Sequence, residues 1–167
     1  KEWMRSWKNA NRSGKADRLG MNKLYYSDDK ITDILDRTKT IAMVGASTNP
    51  ARPSHLVMKY LQGKSYRVIP VNPVAADAIL LAETVYARLA DIPGKIDMVN
   101  IFRNSDAAGV ITDEVISLAK EKSIQTIWMQ LGVRNDAAAR RAETAGLRVV
   151  MDRCPKIEID RLYGNFV

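Results

Sequence analysis

The sequence predicts a Rossmann-like, doubly wound α/β fold, in which a mainly parallel sheet carries helices on both faces. Apolar runs of five to seven residues alternate along the chain with amphipathic segments long enough to form helices. Such alternation favours parallel strands, because each parallel pair needs a crossover connection. The length of 167 residues suits one domain with a single core.

The composition is that of a soluble globular protein: 46% of the residues are hydrophobic and 27% are charged, with a mean hydropathy of −0.23. No apolar run approaches the roughly 18 residues of a membrane span, and no secretory signal is visible. One cysteine and one histidine leave too few ligands for a disulfide framework or a structural zinc site. We therefore expect a cytoplasmic protein without a metal or a membrane partner.

The net charge of +7 is concentrated near the N-terminus. Residues 1–20 carry six basic and two acidic side chains, a net of +4, whereas the other 147 residues carry 20 basic and 17 acidic ones, a net of only +3. We interpret residues 1–20 as a disordered basic extension or a leader, and residues 21–167 as a single domain. The alternative is a basic arm for nucleic acid or membrane, anchored by Trp3 and Trp7. Nucleic acid is disfavoured as a partner, because the folded body carries little of the excess charge.

The first helix is predicted over residues 27–38. Ser27 is a suitable N-cap, acidic residues occupy the first turn, and Ile31, Ile34 and Leu35 share one face.

The remaining elements follow in order. Strands are predicted at residues 40–44, 66–71, 96–102, 125–131 and 147–151. Helices are predicted at residues 54–63, 105–123 and 135–146, and a short strand or turn with a helical turn at residues 83–93. Ser54 and Gly63 are candidate caps of the first of these helices, and Gly146 closes the last. In the long helix, Val110, Ile111, Val115, Ile116, Leu118 and Ala119 supply the apolar face.

In such a fold, ligands lie beyond the carboxyl ends of the strands, at the switch point of the topology. The loop after the first strand is suited to a phosphate. Gly45 permits close approach to the backbone, the amides that follow it could form an anion nest, and the next helix directs its N-terminus at the same place. Arginine and serine side chains are suitable phosphate partners. The candidate residues in this loop are Gly45, Ala46, Ser47, Asn49, Arg52 and Ser54.

Three further loops meet at the same edge. Asn72 and Pro73 follow the second strand and could hold a purine, whereas Phe102 and Arg103 could serve a base or a phosphate. Gln130, Gly132 and Arg134 lie at the end of the strand at 125–131. Arg52, Arg103 and Arg134 together would supply positive charge for several phosphates.

The dinucleotide fingerprint is absent. Gly45 stands alone where G-x-G-x-x-G would place three glycines, and the second strand ends in Asn72-Pro73 instead of an acid for the ribose. A nicotinamide-dependent dehydrogenase is therefore disfavoured.

Five segments resemble the small, stand-alone CoA-binding proteins of bacteria and archaea, the YccU-like group. They are IAMVGASTNPARPSHLVMKYL, YRVIPVNP, IDMVNIFRNSDAAGVITDEVI, IWMQLGVRN and VVMDRCPKIE. The resemblance covers residues 27–163 in order. It implies the CoA-binding Rossmann-like domain that also occurs in the alpha subunit of succinyl-CoA synthetase and in ADP-forming acyl-CoA synthetases.

The resemblance further implies a ligand, coenzyme A or an acyl-CoA, whose nucleotide lies across the first loop with adenine near Asn72 and Pro73. Phe102, Arg103 and the turn Gln130-Leu131-Gly132 would line the rest. One departure stands out, because the family usually has a glycine-containing turn where this chain has Leu81-Ala82-Glu83. A left-handed turn at alanine would cost roughly 1 kcal/mol, so the shape of the pocket is expected to differ there.

No catalytic constellation is visible. His55 is the only histidine and lies in a helix, and Cys154 is interpreted as a reduced, packed cysteine in preference to a partner for the CoA thiol. We therefore predict a monomeric, non-catalytic CoA-binding protein whose protein partner, if any, is unknown. The alternatives are an accessory subunit of an acyl-CoA ligase and a nicotinamide-nucleotide-binding oxidoreductase.

Overall fold

A computed structural model of the protein describes residues 24–164. The predicted basic extension at residues 1–20, with Trp3 and Trp7, lies outside the described residues, as do residues 165–167. Among the helices of the described part, none is long and apolar enough to cross a membrane.

The described chain contains five helices, seven strands and two 3₁₀ turns. The helices are Asp28–Arg37 (α1), Pro53–Gly63 (α2), Ser105–Lys122 (α3), Asp136–Thr144 (α4) and Pro155–Tyr163 (α5). The strands are Thr40–Val44 (β1), Arg67–Val71 (β2), Ile79–Leu80 (β3), Glu83–Thr84 (β4), Met98–Ile101 (β5), Thr126–Met129 (β6) and Arg148–Val150 (β7). The 3₁₀ turns are Pro73–Ala75 and Leu89–Asp91.

Five strands form one sheet in the order β2-β1-β5-β6-β7, and every neighbouring pair is parallel. The chain first moves outward from β1 to β2 and then returns across β1 to β5. The loops after β1 and β5 therefore diverge, which creates the switch point where open α/β sheets bind ligands. The prediction of a doubly wound, mainly parallel sheet is confirmed.

Two hydrophobic cores cover the two faces of this sheet. Alternate residues of β1 point to opposite faces: Ile41 and Met43 pack with α1, α2 and α5, whereas Ala42 packs with α3 and α4. The helices supply small side chains where they approach closely. Gly109 of α3 is an example, since a β-carbon there would lie 2.8 Å from the side chain of Asn135, the N-cap of α4.

The predicted helices are present, with three differences. Helix α5 was not predicted. Ser54 is not an N-cap, because α2 begins at Pro53 with Arg52 as its N-cap. Gly63 is the last helical residue, and the left-handed residue that ends this helix is Ser65, with a φ of 71°.

Both edges of the sheet are covered. Along β2, the chain at Tyr86 runs alongside, so that Tyr86 N donates to Pro70 O at 3.0 Å. Along β7, side chains from α1 and the segment before it take the free backbone groups: Lys30 Nζ donates to Val149 O at 3.3 Å, and Met151 N donates to Tyr26 Oη at 2.9 Å. These contacts occupy part of each edge and so hinder the addition of another strand there.

Strands β3 and β4 form an antiparallel hairpin joined by Leu81 and Ala82. Both residues have positive φ values, 47° and 67°. The chain therefore adopts the left-handed turn that was expected to be strained in the absence of glycine. Two-residue hairpins favour this geometry because it matches the twist of the strands, and they normally place glycine or asparagine there. The hairpin lines neither of the two cavities described below.

Replacing Ala82 with glycine is expected to raise the free energy of unfolding by about 0.5–1 kcal/mol. Glycine relieves the strain of the left-handed backbone, which stabilises the folded state. It also adds conformational entropy to the unfolded chain, which offsets part of that gain. Urea-induced unfolding measures the difference. Ala76→Gly is the matched control, since Ala76 lies in the same connection with a φ of −52° and should lose stability instead. An Ala82→Gly variant no more stable than the wild type contradicts the assignment of strain.

Candidate functional site

A cleft of about 530 Å³ opens at the switch point, at the carboxyl edge of the sheet. We call it the switch-point cleft. Its walls come from the loop after β1 with the start of α2, from the loop after β5, and from the loop after β6. The lining residues are Gly45, Ser47, Arg52, Pro53, Ser54, Phe102, Arg103, Asn104, Gln130, Leu131 and Val133.

Gly45 brings the first two of these loops together. Its φ is 88°, and a β-carbon at this position would lie 2.4 Å from the carbonyl oxygen of Phe102. The close approach is fixed by the sheet, because Phe102 N donates to Val44 O at 2.8 Å. Gly45 is therefore required by the fold at this point, in addition to any role in approaching a ligand.

The amides that follow β1 are mostly used within the loop itself. Gly45 N donates to a carbonyl of β2 at 3.0 Å, and Ser47 N donates to Ser54 Oγ at 3.0 Å. Asn49 N donates to Ser47 Oγ at 3.1 Å, and Ala51 N to Asn49 Oδ1 at 3.0 Å. Side-chain oxygens thus engage the amides of Ser47, Asn49 and Ala51, which leaves fewer donors for the predicted anion nest after Gly45.

The capacity to bind an anion lies instead at the start of α2. This helix has eleven residues, and the amide of Ser54 in its first turn donates no hydrogen bond within residues 24–164. Free amides and the helix dipole both favour an anion there. Because Ser54 Oγ holds the loop through Ser47, one residue both shapes this corner and directs an amide toward it.

Two arginines at the cleft have no acidic partner. Arg52 and Arg103 are exposed, and neither forms an ion pair within 4.0 Å in the described part of the chain. Arg134 differs, because its guanidinium binds both oxygens of Asp136 at 2.7 and 2.9 Å. A carboxylate thus already engages Arg134, and its predicted contribution to a phosphate site stays a prediction.

The floor of the cleft contains a buried pair of amides. Asn100 in β5 and Gln130 after β6 are almost fully buried, and Asn100 Nδ2 donates to Trp128 O at 3.1 Å and to Gln130 Oε1 at 3.4 Å. Asn100 Oδ1 and Gln130 Nε2 have no hydrogen-bond partner among the described residues. Cys154 packs nearby, where burial raises the pKa of its thiol and the Gln130 amide acts in the opposite direction. Its burial agrees with a packed, reduced cysteine.

A second cavity of about 380 Å³ lies beside the cleft, between α3 and the connection that follows β2. We call it the adjacent cavity. Its walls are mainly apolar, with two arginines and one acid: Val44, Val71, Pro73, Ala87, Arg88, Leu89, Arg103, Ala107, Val110, Ile111 and Glu114. Arg103 lines both cavities. Val110, predicted to face the core, is 72% exposed and forms part of this wall instead.

The family model described as "CoA binding domain" matches residues 39–160. The chain belongs to this CoA-binding domain family. It is 37% identical over 131 residues to the uncharacterized protein YneT of Bacillus subtilis (strain 168), covering 78% of this chain and 93% of YneT. A hypothetical protein from Pyrococcus horikoshii OT3 has a similar structure, with a TM-score of 0.76, 35% identity and coverage of 86% of this chain and 100% of that one. These relatives are small, stand-alone members of the CoA-binding domain family, which confirms the resemblance seen in the sequence.

A similar fold also occurs within a larger protein. The dinucleotide-forming acetyl-coenzyme A synthetase 1 of Ca. Korarchaeum cryptofilum matches with a TM-score of 0.54 and 25% identity. The match covers 68% of this chain but only 26% of the synthetase. The fold of this chain thus corresponds to about a quarter of that enzyme.

Within this CoA-binding domain, seven predicted site residues line the switch-point cleft: Gly45, Ser47, Arg52, Ser54, Phe102, Arg103 and Gln130. Pro73 lines the adjacent cavity. Asn49 holds the loop after β1 from within, and the carbonyl of Ala46 accepts a hydrogen bond from Asn72 Nδ2 at 2.8 Å.

Asn72 and Gly132 line neither cavity. Asn72 joins the loops after β1 and β2. Gly132, with a φ of 83°, donates its amide to Asp152 Oδ1 at 2.7 Å and so holds the loop after β6 in place. His55 lines neither cavity.

The lining residues that sequence reasoning missed are Pro53, Asn104 and Val133. Asn104 had a readable signal, since it caps α3 by accepting from Ala107 N at 2.8 Å, and asparagine just before a predicted helix is a typical N-cap. Val133 had none, because an apolar residue beyond a strand indicates burial and not a ligand.

Proposed function

We propose that this protein binds coenzyme A or an acyl-CoA at the switch point without transforming it. The proposal is supported most by one juxtaposition: two arginines without acidic partners and the first turn of α2 face a cleft at the switch point of a CoA-binding domain. Guanidinium groups and a helix N-terminus together suit a group as highly charged as a pyrophosphate.

The two cavities differ in the parts of such a ligand that they suit. The adjacent cavity, with its apolar walls and Pro73, suits the adenine ring, and Arg103 at the boundary suits the pyrophosphate. The switch-point cleft suits the pantetheine arm. Both volumes lie within the range of small-molecule sites.

Binding without catalysis is proposed because the site lacks paired catalytic groups. Neither cavity lining contains a histidine or a cysteine, and the adjacent cavity contributes a single acid, Glu114. Burial raises the pKa of Glu114, and the nearby Arg88 opposes that shift. A lone carboxyl at the rim of an apolar cavity has no nucleophile or base beside it among the lining residues. We extend the proposal to a monomeric, cytoplasmic protein whose partner is a small molecule. The buried free thiol of Cys154 suits a reducing compartment such as the cytoplasm.

Calorimetric titration of the full chain with CoA, acetyl-CoA, NAD and ATP tests the proposal. CoA compounds are expected to bind saturably, and Arg52→Met is expected to weaken that binding by about tenfold to a hundredfold, because a charge-assisted hydrogen bond is lost. Arg140→Met is the matched control: it removes the same charge from an exposed position on α4, away from both cavities. Binding of NAD and not of CoA overturns the proposal in favour of a nicotinamide-nucleotide-binding oxidoreductase.

A second candidate is an accessory subunit of an acyl-CoA ligase. It is favoured by the synthetase of Ca. Korarchaeum cryptofilum, in which a similar segment forms about a quarter of the chain. A ligase would then need its nucleotide-binding part on another polypeptide. Saturable ATP binding by the isolated chain argues against an accessory subunit that leaves ATP binding to another polypeptide. Binding of CoA alone is compatible with such a subunit.

A further inference from the structure

The orientation of the Gln130 side chain is fixed by a chain of hydrogen bonds. The oxygen and nitrogen of an amide side chain have similar shapes, so their positions follow from their partners. The carbonyl of Trp128 can only accept, so the atom of Asn100 that meets it at 3.1 Å is Nδ2. The same Nδ2 lies 3.4 Å from Gln130 and requires an acceptor there, which identifies that atom as Oε1. Nε2 is therefore the atom of the Gln130 amide that takes no part in this chain of hydrogen bonds.

Gln130 Nε2 is a buried donor without a strong acceptor among the described residues. Gln130 is 1% exposed, and Nε2 has no hydrogen-bond partner among the described residues. The Cys154 thiol interacts with the Gln130 amide. Thiol sulfur is a weak hydrogen-bond acceptor, however, and does not replace a carbonyl or carboxylate oxygen. Folded proteins seldom leave such a donor unsatisfied, because its desolvation is costly. Gln130 belongs to the wall of the switch-point cleft, and Nε2 is buried behind that wall, so a small rotation of the side chain would allow a molecule in the cleft to supply the missing acceptor.

The surroundings indicate which kind of acceptor this is. Gln130 carries no charge, and its neighbours in the cleft wall, Leu131 and Val133, are apolar. A phosphate in this place would be desolvated without a cation, whereas Arg52 and Arg103 offer it cations elsewhere in the cleft. A neutral carbonyl oxygen needs one donor and tolerates apolar neighbours.

We propose that Gln130 is a specificity-determining residue whose Nε2 donates a hydrogen bond to a carbonyl oxygen on the uncharged arm of the ligand. Asn100 is the positioning residue that holds Gln130 in the donating orientation. The inference rests on the proposed function, since it presupposes a CoA compound in the cleft. Two carbonyl sources share this chemistry: the amides of the pantetheine arm and the thioester of an acyl-CoA.

Calorimetry with four probes separates the sources. Acetyl-CoA carries both kinds of carbonyl, S-ethyl-CoA and CoA carry only the pantetheine amides, and adenosine 3′,5′-bisphosphate carries neither. Gln130→Met removes the donor at similar volume, and we expect it to weaken binding of the carbonyl-bearing probes by about tenfold, while adenosine 3′,5′-bisphosphate is unaffected. Gln125→Met is the matched control, since Gln125 precedes β6 as Gln130 follows it and is exposed at the opposite edge of the sheet.

Each outcome decides a point. A loss confined to acetyl-CoA assigns the thioester, and an equal loss for acetyl-CoA, S-ethyl-CoA and CoA assigns the pantetheine amides. An unchanged Gln130→Met variant, or an equal loss for all four probes, overturns the inference while CoA binding by the wild type leaves the proposed function intact. Failure of the wild type to bind any CoA compound removes the proposed function itself. Gln130→Glu, which keeps an oxygen facing Asn100 and turns the donor into an acceptor, provides a second variant should Gln130→Met not fold.

Discussion

Replacing Gly45 with alanine is expected to lower the free energy of unfolding by about 2–5 kcal/mol. The left-handed backbone, with a φ of 88°, accounts for about 1–2 kcal/mol of this, and overpacking for about 1–3 kcal/mol. The clash is severe because the new β-carbon would meet the carbonyl oxygen of Phe102 at 2.4 Å, and that oxygen is main chain. To relieve it, the ends of β1 and β5 must separate, although the hydrogen bond from Phe102 N to Val44 O joins them.

Urea-induced unfolding followed by circular dichroism measures this loss. Gly63→Ala is the matched control, because Gly63 is helical and a β-carbon there meets nothing within 4 Å. That variant should be more stable than the wild type by about 0.5–1 kcal/mol. A Gly45→Ala variant as stable as Gly63→Ala contradicts the close approach of the two loops. Because the same approach shapes the cleft, Gly45→Ala is also expected to lose affinity for CoA.

Replacing Arg103 with methionine is expected to weaken CoA binding by about tenfold to a hundredfold, the scale of a lost charge-assisted hydrogen bond. The effect follows from the position of Arg103, which lines both the switch-point cleft and the adjacent cavity and forms no ion pair with a carboxylate in the described residues. Methionine keeps an apolar stem of similar length while it removes the charge. Higher salt should weaken binding to the wild type more than binding to the variant, since screening acts on the charge.

Fragments of the ligand sharpen the test. If Arg103 stands at the boundary between the cavities, Arg103→Met should weaken binding of both adenosine 3′,5′-bisphosphate and 4′-phosphopantetheine. Arg52→Met should weaken only 4′-phosphopantetheine, because Arg52 lines the switch-point cleft alone. Arg140→Met should change neither. Equal effects of Arg52→Met and Arg103→Met on both fragments contradict the proposed division of the ligand.

The sheet and four of the five helices were predictable from the sequence, because each strand is a short apolar run and each helix has its own cap or periodic face. Helix α5 was missed although its signals are present: Pro155 occupies the first helical position, and Lys156 pairs with Asp160 one turn later at 2.8 Å. The β3–β4 hairpin was missed because two-residue strands leave no periodicity to detect. Val110 was misplaced because an apolar residue on a helix face is as compatible with a cavity wall as with a core.

The residues of the cleft were easier to predict than their roles. Glycine, serine and arginine after a strand indicate a phosphate loop, and most of them line the cleft. Which amides remain free depends on the conformation of the loop. Nothing in the spacing of Ser47 and Ser54 indicates that the amide of Ser47 donates to the hydroxyl of Ser54. Likewise, Arg134 looked available until the fold placed Asp136 against it. The unsatisfied Gln130 became visible only when β5 and β6 were adjacent, since its partner Asn100 is 30 positions away.

The covered sheet edges limit how this protein can assemble. Tyr86 occupies one side of β2, and Lys30 and Tyr26 occupy the outer side of β7. Within the described residues, a second copy therefore meets partly occupied edges on the five-stranded sheet, which hinders the strand addition that leads from a folded α/β protein to stacked fibrils. Self-association of the folded chain must use helix faces or loops instead. Concentrated solutions should consequently stay free of fibrils until the chain unfolds.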